Sequence, residues 1–353
     1  MERYSRSAKV SYGIMFCAGI AVISFLTWTI FKPISALMWA FIYSIIIANA
    51  LNLPSKLMNG ISFCSGTLLR IVIASLGIVT SALIWFQVGL GVFNALAIIF
   101  FSYFFALWLG KRLGLKDTLV TLIGLGTSIC GASAIAATGP AIGAKEEEIG
   151  LAVACITLFG LVAMFTYPFL YTNTIVGEWL KHNLNAYSIW VGSGVHETAQ
   201  VIAAAGALDP NAVGPALIVK SVRIFMIGPM ILVATYIMRR RGLKSADGNA
   251  ATKIILPTYG IAFIVNSFVC AVLDANAFQL AMTGFDWLAI KGTLSATIIP
   301  FLLATTFAGV GSKVKFRAIA KLGLRPFIMG AFMAVLAGAI ALLLAIAVAP
   351  FIS

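Results

Sequence analysis

Apolar segments long enough to cross a bilayer follow one another through almost the whole of this chain. A transmembrane helix needs about 20 apolar residues. Apolar residues make up 61% of the 353 residues and charged residues only 10%. In soluble domains, roughly 45–50% of the residues are apolar and about 25% are charged. The sequence therefore predicts an all-α polytopic membrane protein embedded in a lipid bilayer. We expect eleven spans, at 11–31, 34–51, 61–82, 86–109, 118–143, 149–171, 185–207, 211–238, 254–274, 287–310 and 326–350.

The distribution of positive charge predicts the orientation of these spans. The formal net charge is +13, but the lysines and arginines lie in short runs between apolar segments rather than on a solvated basic face, so nucleic acid is not an expected partner. With the N-terminus inside, eighteen of the 24 cations fall on the cytoplasmic side. The positive-inside rule then predicts a protein of the cell inner (plasma) membrane, with the N-terminus in the cytoplasm and the C-terminus on the opposite side.

The connections between spans leave no room for a separate soluble domain, so we expect one integral membrane transporter domain over 1–353. A leading helix in 1–33 would precede two five-helix repeats, 34–171 and 185–350. An odd number of helices per repeat inverts the second relative to the first. The fourth helix of each repeat is expected to be broken, the second of them at Pro300 and 305–312. A homo-oligomer is compatible with this arrangement.

Two polar, small-residue interruptions lie inside spans, at 126–133 and 192–200. Backbone without water must satisfy its own hydrogen bonds, so a break is tolerated only inside protein or beside a wet cavity. A helix restarting near residue 130 would point free N–H groups and a partial positive charge toward the midplane, which suits an anion. The alternative is that these are small packing residues between helices. Candidate substrate-binding residues of the first interruption are Thr127, Ser128, Cys130, Gly131 and Ser133.

Three cations, Arg70, Lys220 and Arg223, fall inside predicted spans. Each costs about 2.5–3.5 kcal/mol near a helix centre, and Glu197 is the one carboxylate that we place at comparable depth. The excess predicts that all three cations bind an anionic substrate. Two alternatives remain. Arg70 could extend to the cytoplasmic interface, and the other two could pair with Glu197 or with helix-end carbonyls.

The second interruption holds three further candidates, His196, Glu197 and Gln200. A zinc protease needs His-Glu-x-x-His, and the fifth position here is Gln200, so no metal is expected. A histidine changes charge near physiological pH, so these residues are candidates for coupling to H⁺ or Na⁺. A static hydrogen-bonded pair that holds Lys220 is the alternative. Apart from a coupling ion, no cofactor is expected.

The chain resembles the UPF0324 family of candidate sulfate exporters, which is related to bile-acid, arsenite and cation/proton transporters. The motifs that carry the resemblance are Gly126-Thr-Ser-Ile-Cys-Gly-Ala-Ser-Ala-Ile-Ala-Ala137, Val195-His-Glu-Thr-Ala-Gln-Val-Ile-Ala-Ala-Ala-Gly206, Lys220-Ser-Val-Arg223 and Leu68-Leu-Arg70. It implies a secondary transporter with broken, crossing helices. Family members more often have Asp at the position of Glu197, so the site geometry differs in detail here.

Three functions follow from these observations. The first is a secondary transporter, specifically an exporter, of a small oxyanion such as sulfate or sulfite, bound at the midplane between broken helices. The alternative is a cation/proton antiporter that uses Glu197 and His196, which the excess of intramembrane cations disfavours. A membrane enzyme or sensor is the third, but the sequence offers no nucleophile–base pair, so we do not expect an enzyme.

Overall fold

Helices make up all of the regular secondary structure in the described part of the chain, and the protein is an all-α polytopic membrane protein. The structure, a computed structural model, describes residues 2–31, 34–51, 53–83, 88–241, 258–320 and 323–352. Contacts divide the chain into two units. The first unit combines Met1–Ile84 with Thr258–Phe316, and the second combines Trp85–Pro257 with Arg317–Ser353.

The first unit contains two long helices that are each interrupted by a π-helical turn. Its elements in chain order are α1 (Glu2–Ile30), α2 (Ala36–Ala50), α3 (Ser55–Phe63), a π turn (Cys64–Leu68), α4 (Leu69–Val79), α14 (Thr258–Ala275), α15 (Ala277–Met282), α16 (Trp287–Thr293), a π turn (Leu294–Ile298) and α17 (Ile299–Ser312). Helix α4 packs on α14, and α17 packs on α2. Helix α17 also contacts α3, the first π turn and α4, so the two interrupted helices pack against each other within the unit.

The two π turns have matching sequences. Ser65-Gly-Thr67 lies in the first and Ser295-Ala-Thr297 at the same place in the second. Because a π turn inserts an extra residue into an α-helix without ending it, each helix continues through its turn. The two turns therefore share a Ser-x-Thr pattern at the same position.

The second unit contains the two broken helices and the helices around them. Its elements are α5 (Gly91–Arg112), α6 (Asp117–Ser128), α7 (Ala132–Ala141), α8 (Glu146–Asn173), α9 (Val176–Trp179), α10 (Leu184–Gly194), α11 (Thr198–Leu208), a 3₁₀ turn (Pro210–Ala212), α12 (Val213–Phe225), α13 (Ile227–Arg240), α19 (Leu324–Val348) and a final 3₁₀ turn (Ala349–Phe351). The short helix α18 (Phe316–Ala320) begins at the last residue of the first unit. Helix α8 contacts α6, α7, α11 and α19, so it lies beside both broken helices.

Eight of the predicted spans correspond to continuous helices that are long and apolar enough to cross a membrane. Of the other three, 34–51 is the shorter apolar helix α2, and 118–143 and 185–207 are the broken pairs α6–α7 and α10–α11. The first residues of the predicted spans 86–109 and 254–274 lie outside the described residues. The repeat boundaries at 34–171 and 185–350 stay predictions.

The predicted break at Pro300 and 305–312 is wrong, because the chain is helical from Trp287 to Ser312. Pro300 lies two residues after the π turn, in the first turn of α17, where the altered hydrogen-bond register accommodates its missing N–H. The hydroxyls of Thr305 and Ser312 donate to carbonyls one turn earlier, at 2.9 and 2.8 Å. Gly311 packs against α2, since an added Cβ would lie 2.0 Å from Ser44 Oγ. The small polar residues of this segment therefore serve helix packing.

Candidate functional site

The first break separates α6 from α7 in the second unit. Helix α6 ends at Ser128, and α7 begins at Ala132. Gly131 has φ 74° and ψ −131°, a conformation that is strained for residues with a side chain. Its N–H still donates to the carbonyl of Gly126 at 3.0 Å, which closes the end of α6. The predicted break within 126–133 is confirmed.

The second break separates α10 from α11. Val195 and Glu197 have extended backbones, with ψ 142° and 146°. Glu197 occupies the N-cap position of α11, and its N–H donates to Gln200 Oε1 at 3.2 Å. Gln200 therefore stabilises the start of α11 by capping, as in the capping-box pattern. We refer to the two breaks together, residues 129–131 and 195–197, as the junction.

The guanidinium of Arg223, on α12, joins the C-terminal ends of both half-helices that enter the junction. Its Nε donates to the carbonyl of Ser128 at 3.0 Å, and its Nη2 donates to that of Thr127. Its Nη1 donates to the carbonyl of Ser193 and, at 3.1 Å, to that of Val195. A cation at a helix C-terminus is favourable, and here one cation serves two helices.

Lys220 lies one turn before Arg223 on α12 and binds carbonyls of the second break only. Its ammonium group donates to the carbonyls of Val195 and His196 at 2.9 and 2.5 Å, and it is completely buried. Lys220 and Arg223 thus both bind helix-end carbonyls. The sequence left this pairing open as an alternative to direct anion binding.

The carboxylate of Glu197 lies between the N-terminal ends of the two half-helices that leave the junction. It is the N-cap residue of α11, and its side chain lies so close to the first break that a Cβ on Gly131 would be 2.3 Å from its Cγ. The carboxylate also interacts with the backbone of Ala132, the first residue of α7. It accepts a hydrogen bond from Thr157 Oγ1 of α8 at 3.1 Å. One carboxylate therefore faces the positive ends of two helices.

The contact with α8 is close because Gly160 leaves room for Gln200. A Cβ on Gly160 would lie 1.9 Å from Gln200 Oε1. The amide of Gln200 donates to the carbonyl of Thr157 at 3.2 Å. Thr157 thus holds Glu197 through its hydroxyl and Gln200 through its carbonyl, so α8 orients the side chains of the second break.

Several buried polar atoms around the junction have no hydrogen-bond partner within the described part of the chain. They include the hydroxyls of Thr127, Ser193 and Tyr167. Both ring nitrogens of His196 are also without a partner in good geometry, although the backbone of Gly194 lies beside the ring. Because a buried polar atom without a partner costs free energy, water or a polar ligand would be stabilised here.

The structure brings most of the predicted site residues together in the second unit. Cys130 and Gly131 are buried at the first break, and Ser128 Oγ donates weakly to the carbonyl of Leu125, at 3.4 Å. Ser133, in the first turn of α7, is exposed on the surface of its unit. Glu197 contacts both breaks, and the predicted division into a substrate-binding first break and a coupling second break stays a prediction.

Arg70 belongs to the first unit rather than to the one that holds the junction. It is the second residue after the first π turn, its side chain is exposed, and it has no hydrogen bond or ion pair among the described residues. The helix begins at Ser55, well before Arg70, so Arg70 lies near its middle. The alternative that Arg70 extends to the cytoplasmic interface stays a prediction.

Sequence reasoning missed Thr157, Gly160 and Tyr167, all on α8. Tyr167 stacks on Trp190 of α10 with ring centroids 4.2 Å apart, and its hydroxyl lies 2.6 Å from where a Cβ on Gly194 would be. A threonine, a glycine and a tyrosine in a long apolar helix are common, so no signal in the sequence distinguishes them.

In the residues that the structure describes, no group of three or more His, Cys, Asp or Glu side chains could hold a metal ion.

Comparisons with known proteins agree with this membrane architecture. Residues 12–330 match the family model described as conserved hypothetical protein 698. The chain is similar to a UPF0324 membrane protein of Haemophilus influenzae, with 34% identity over 332 residues, 90% of this chain and 91% of the relative. A UPF0324 membrane protein of Neisseria meningitidis is 33% identical over 329 residues, with 90% and 91% covered. The UPF0324 inner membrane protein YeiH of Escherichia coli K12 is 34% identical over 229 residues, with 65% and 60% covered.

Proposed function

The chain belongs to the UPF0324 membrane protein family, and from its junction we propose that it is a secondary transporter that exports a small oxyanion such as sulfate or sulfite. We place it in the cell inner membrane with a cytoplasmic N-terminus, on the basis of the positive-inside distribution. The identity of the anion and the direction of transport belong to the proposal.

The charge balance of the junction is the observation that carries this proposal. Lys220 and Arg223 are completely buried, and Glu197 is the one carboxylate that contacts the breaks among the described residues. The two helix C-termini and two helix N-termini contribute partial charges that cancel. With all three side chains ionised, the junction retains one positive charge, which an anion would neutralise.

The broken helices are the second observation that supports the proposal. Transporters recurrently form substrate sites from half-helices whose N-termini face anionic groups. Here α7 and α11 begin at adjacent breaks, and the unpartnered atoms of Thr127, Ser193 and His196 lie around them. An oxyanion accepts hydrogen bonds from N–H and O–H groups alike, so it matches the chemistry of the junction.

A cation/proton antiporter is the second candidate, because Glu197 is only partly buried and has the Thr157 hydroxyl beside it. An antiporter of this kind needs an anionic site. The resident ammonium of Lys220 already occupies carbonyls of the second break. This occupation favours the oxyanion over the cation as substrate.

We predict that purified protein in liposomes exchanges radiolabelled sulfate or sulfite faster than protein-free liposomes do. Arg70→Ala should lower this flux at least about tenfold, because an intramembrane cation without a protein partner is a functional candidate. Lys56→Ala, an exposed cation on the first turn of the same interrupted helix, is the matched control and should leave the flux unchanged. Sodium-dependent proton release without flux of sulfate, sulfite or phosphate would support the antiporter instead.

A further inference from the structure

We propose that each oxyanion bound at the junction takes up one proton, which protonates Glu197, and that the coupling ion is therefore H⁺ and not Na⁺. This inference rests on the proposed function and names its coupling. It follows from two observations, the position of the Glu197 carboxylate and the occupation of the second break by Lys220.

The Glu197 carboxylate occupies the place that an oxyanion would need. It is the N-cap of α11 and interacts with the backbone of Ala132 at the start of α7. The two helices have 11 and 10 residues, so each has a developed N-terminal dipole. An oxyanion and an ionised carboxylate would place two negative charges at the same two helix ends, where like charges repel strongly.

Other groups around Glu197 are poorly placed to remove this repulsion. The titratable and charged groups that face the junction from the packed elements are Lys220 and Arg223 of α12, Cys130 of the first break, Tyr167 of α8 and His196 of the second break. The two cations are bound to helix-end carbonyls, and moving Lys220 would leave the His196 carbonyl without its donor, as moving Arg223 would leave that of Ser128. Glu197 is half-buried, whereas all five of these groups are buried.

Protonation of Glu197 makes the two helix N-termini available to the anion without moving the cations. The neutral carboxyl group no longer competes for the helix N-termini, and the junction gains one positive charge for the arriving anion. The proton is bound to a carboxylate oxygen when the anion enters and is released when the anion leaves. A divalent oxyanion and one proton together carry one negative charge, so an inside-negative membrane potential drives them outward, which is compatible with export.

Lys220 provides the argument against sodium. Unwound carbonyls at broken helices are the groups with which transporters bind Na⁺. In this protein the carbonyls of Val195 and His196 hold the Lys220 ammonium at 2.9 and 2.5 Å. A resident cation satisfies them throughout, so a coupling sodium ion has no place at this break.

The test is proton uptake on sulfate binding, measured with a pH indicator in weakly buffered detergent solution. Sulfate is the probe because it stays fully ionised across the working pH range. We expect about one proton taken up per sulfate bound, and an affinity that falls about tenfold per pH unit where Glu197 is ionised. Replacing sodium with choline should change neither result.

Three variants make the outcomes specific. In Glu197→Gln, sulfate should bind without proton uptake and with an affinity independent of pH, whereas Glu197→Asp should retain the uptake. Glu178→Gln removes an exposed carboxylate of α9 and should behave as wild type. Binding without proton uptake in the wild type, uptake that persists in Glu197→Gln, or a requirement for sodium would overturn the inference while leaving the transporter proposal intact. Absence of sulfate, sulfite and phosphate binding in every variant at every pH would overturn both.

Discussion

At the scale of single residues, Arg223 and Glu197 have complementary roles. The guanidinium binds the C-terminal carbonyls of α6 and α10, and the carboxylate lies at the N-terminal ends of α7 and α11. The sequence predicted that intramembrane cations need compensation, and the structure shows that backbone carbonyls provide it for Lys220 and Arg223. The partner carbonyl at Ser128 is 95 positions from Arg223, so no local pattern could have identified it.

We predict that Arg223→Lys destabilises the protein by at least about 2 kcal/mol, because a lysine retains the charge but cannot reach both breaks. At least two buried carbonyls would then lose their donors, at about 1–3 kcal/mol each. The measurement is the thermal unfolding midpoint in detergent. Arg239→Lys, at an exposed position near the end of α13, is the control. Equal midpoints for Arg223→Lys and the control would show that the guanidinium fork is unnecessary.

At the scale of elements, the two broken helices are predictable from the sequence, whereas helix α8, which packs beside both of them, is not. Glycine and polar residues inside apolar spans correctly predicted both breaks, because unwound backbone in a membrane requires small and hydrogen-bonding residues. The same pattern failed at 305–312, where the hydroxyls bond within the helix and Gly311 permits close packing. Composition alone does not distinguish a break from a packing face.

Helix α8 provides a direct test of how the second break is held. We predict that Gly160→Ala displaces the Gln200 side chain, because the new Cβ would lie 1.9 Å from its Oε1. The hydrogen bond from the Glu197 N–H to Gln200 Oε1 and the one from the Gln200 amide to the Thr157 carbonyl would both weaken, at a cost of about 1–3 kcal/mol.

The matched control lies on the same helix. A Cβ on Gly150 has open space around it, so Gly150→Ala should be neutral or stabilise the helix by about 0.5–1 kcal/mol. Both variants are compared by thermal unfolding in detergent. If Gly160→Ala unfolds at or above the temperature of Gly150→Ala, the close approach of α8 to Gln200 has no energetic role.

At the scale of the whole molecule, hydropathy predicted the membrane class and eight continuous helices that the structure contains. It could not predict the grouping of helices into units, because residues 1–84 join 258–316 through contacts that are distant in sequence. The charges inside the spans had the same limitation. Lys220 and Arg223 lie at the junction of the second unit, whereas Arg70 belongs to the first, and hydropathy treats all three alike.

The central claim is that an oxyanion binds at the junction in place of the ionised Glu197 carboxylate. A crystal structure of the protein with selenate, at acidic pH, tests it most directly, because anomalous scattering locates selenium without ambiguity. We predict a selenium peak at the junction with a selenate oxygen within hydrogen-bonding distance of the Ala132 N–H, and with the Glu197 side chain moved from its position between α7 and α11. Selenium bound only outside residues 129–131 and 195–197, with Glu197 unmoved, would contradict the claim.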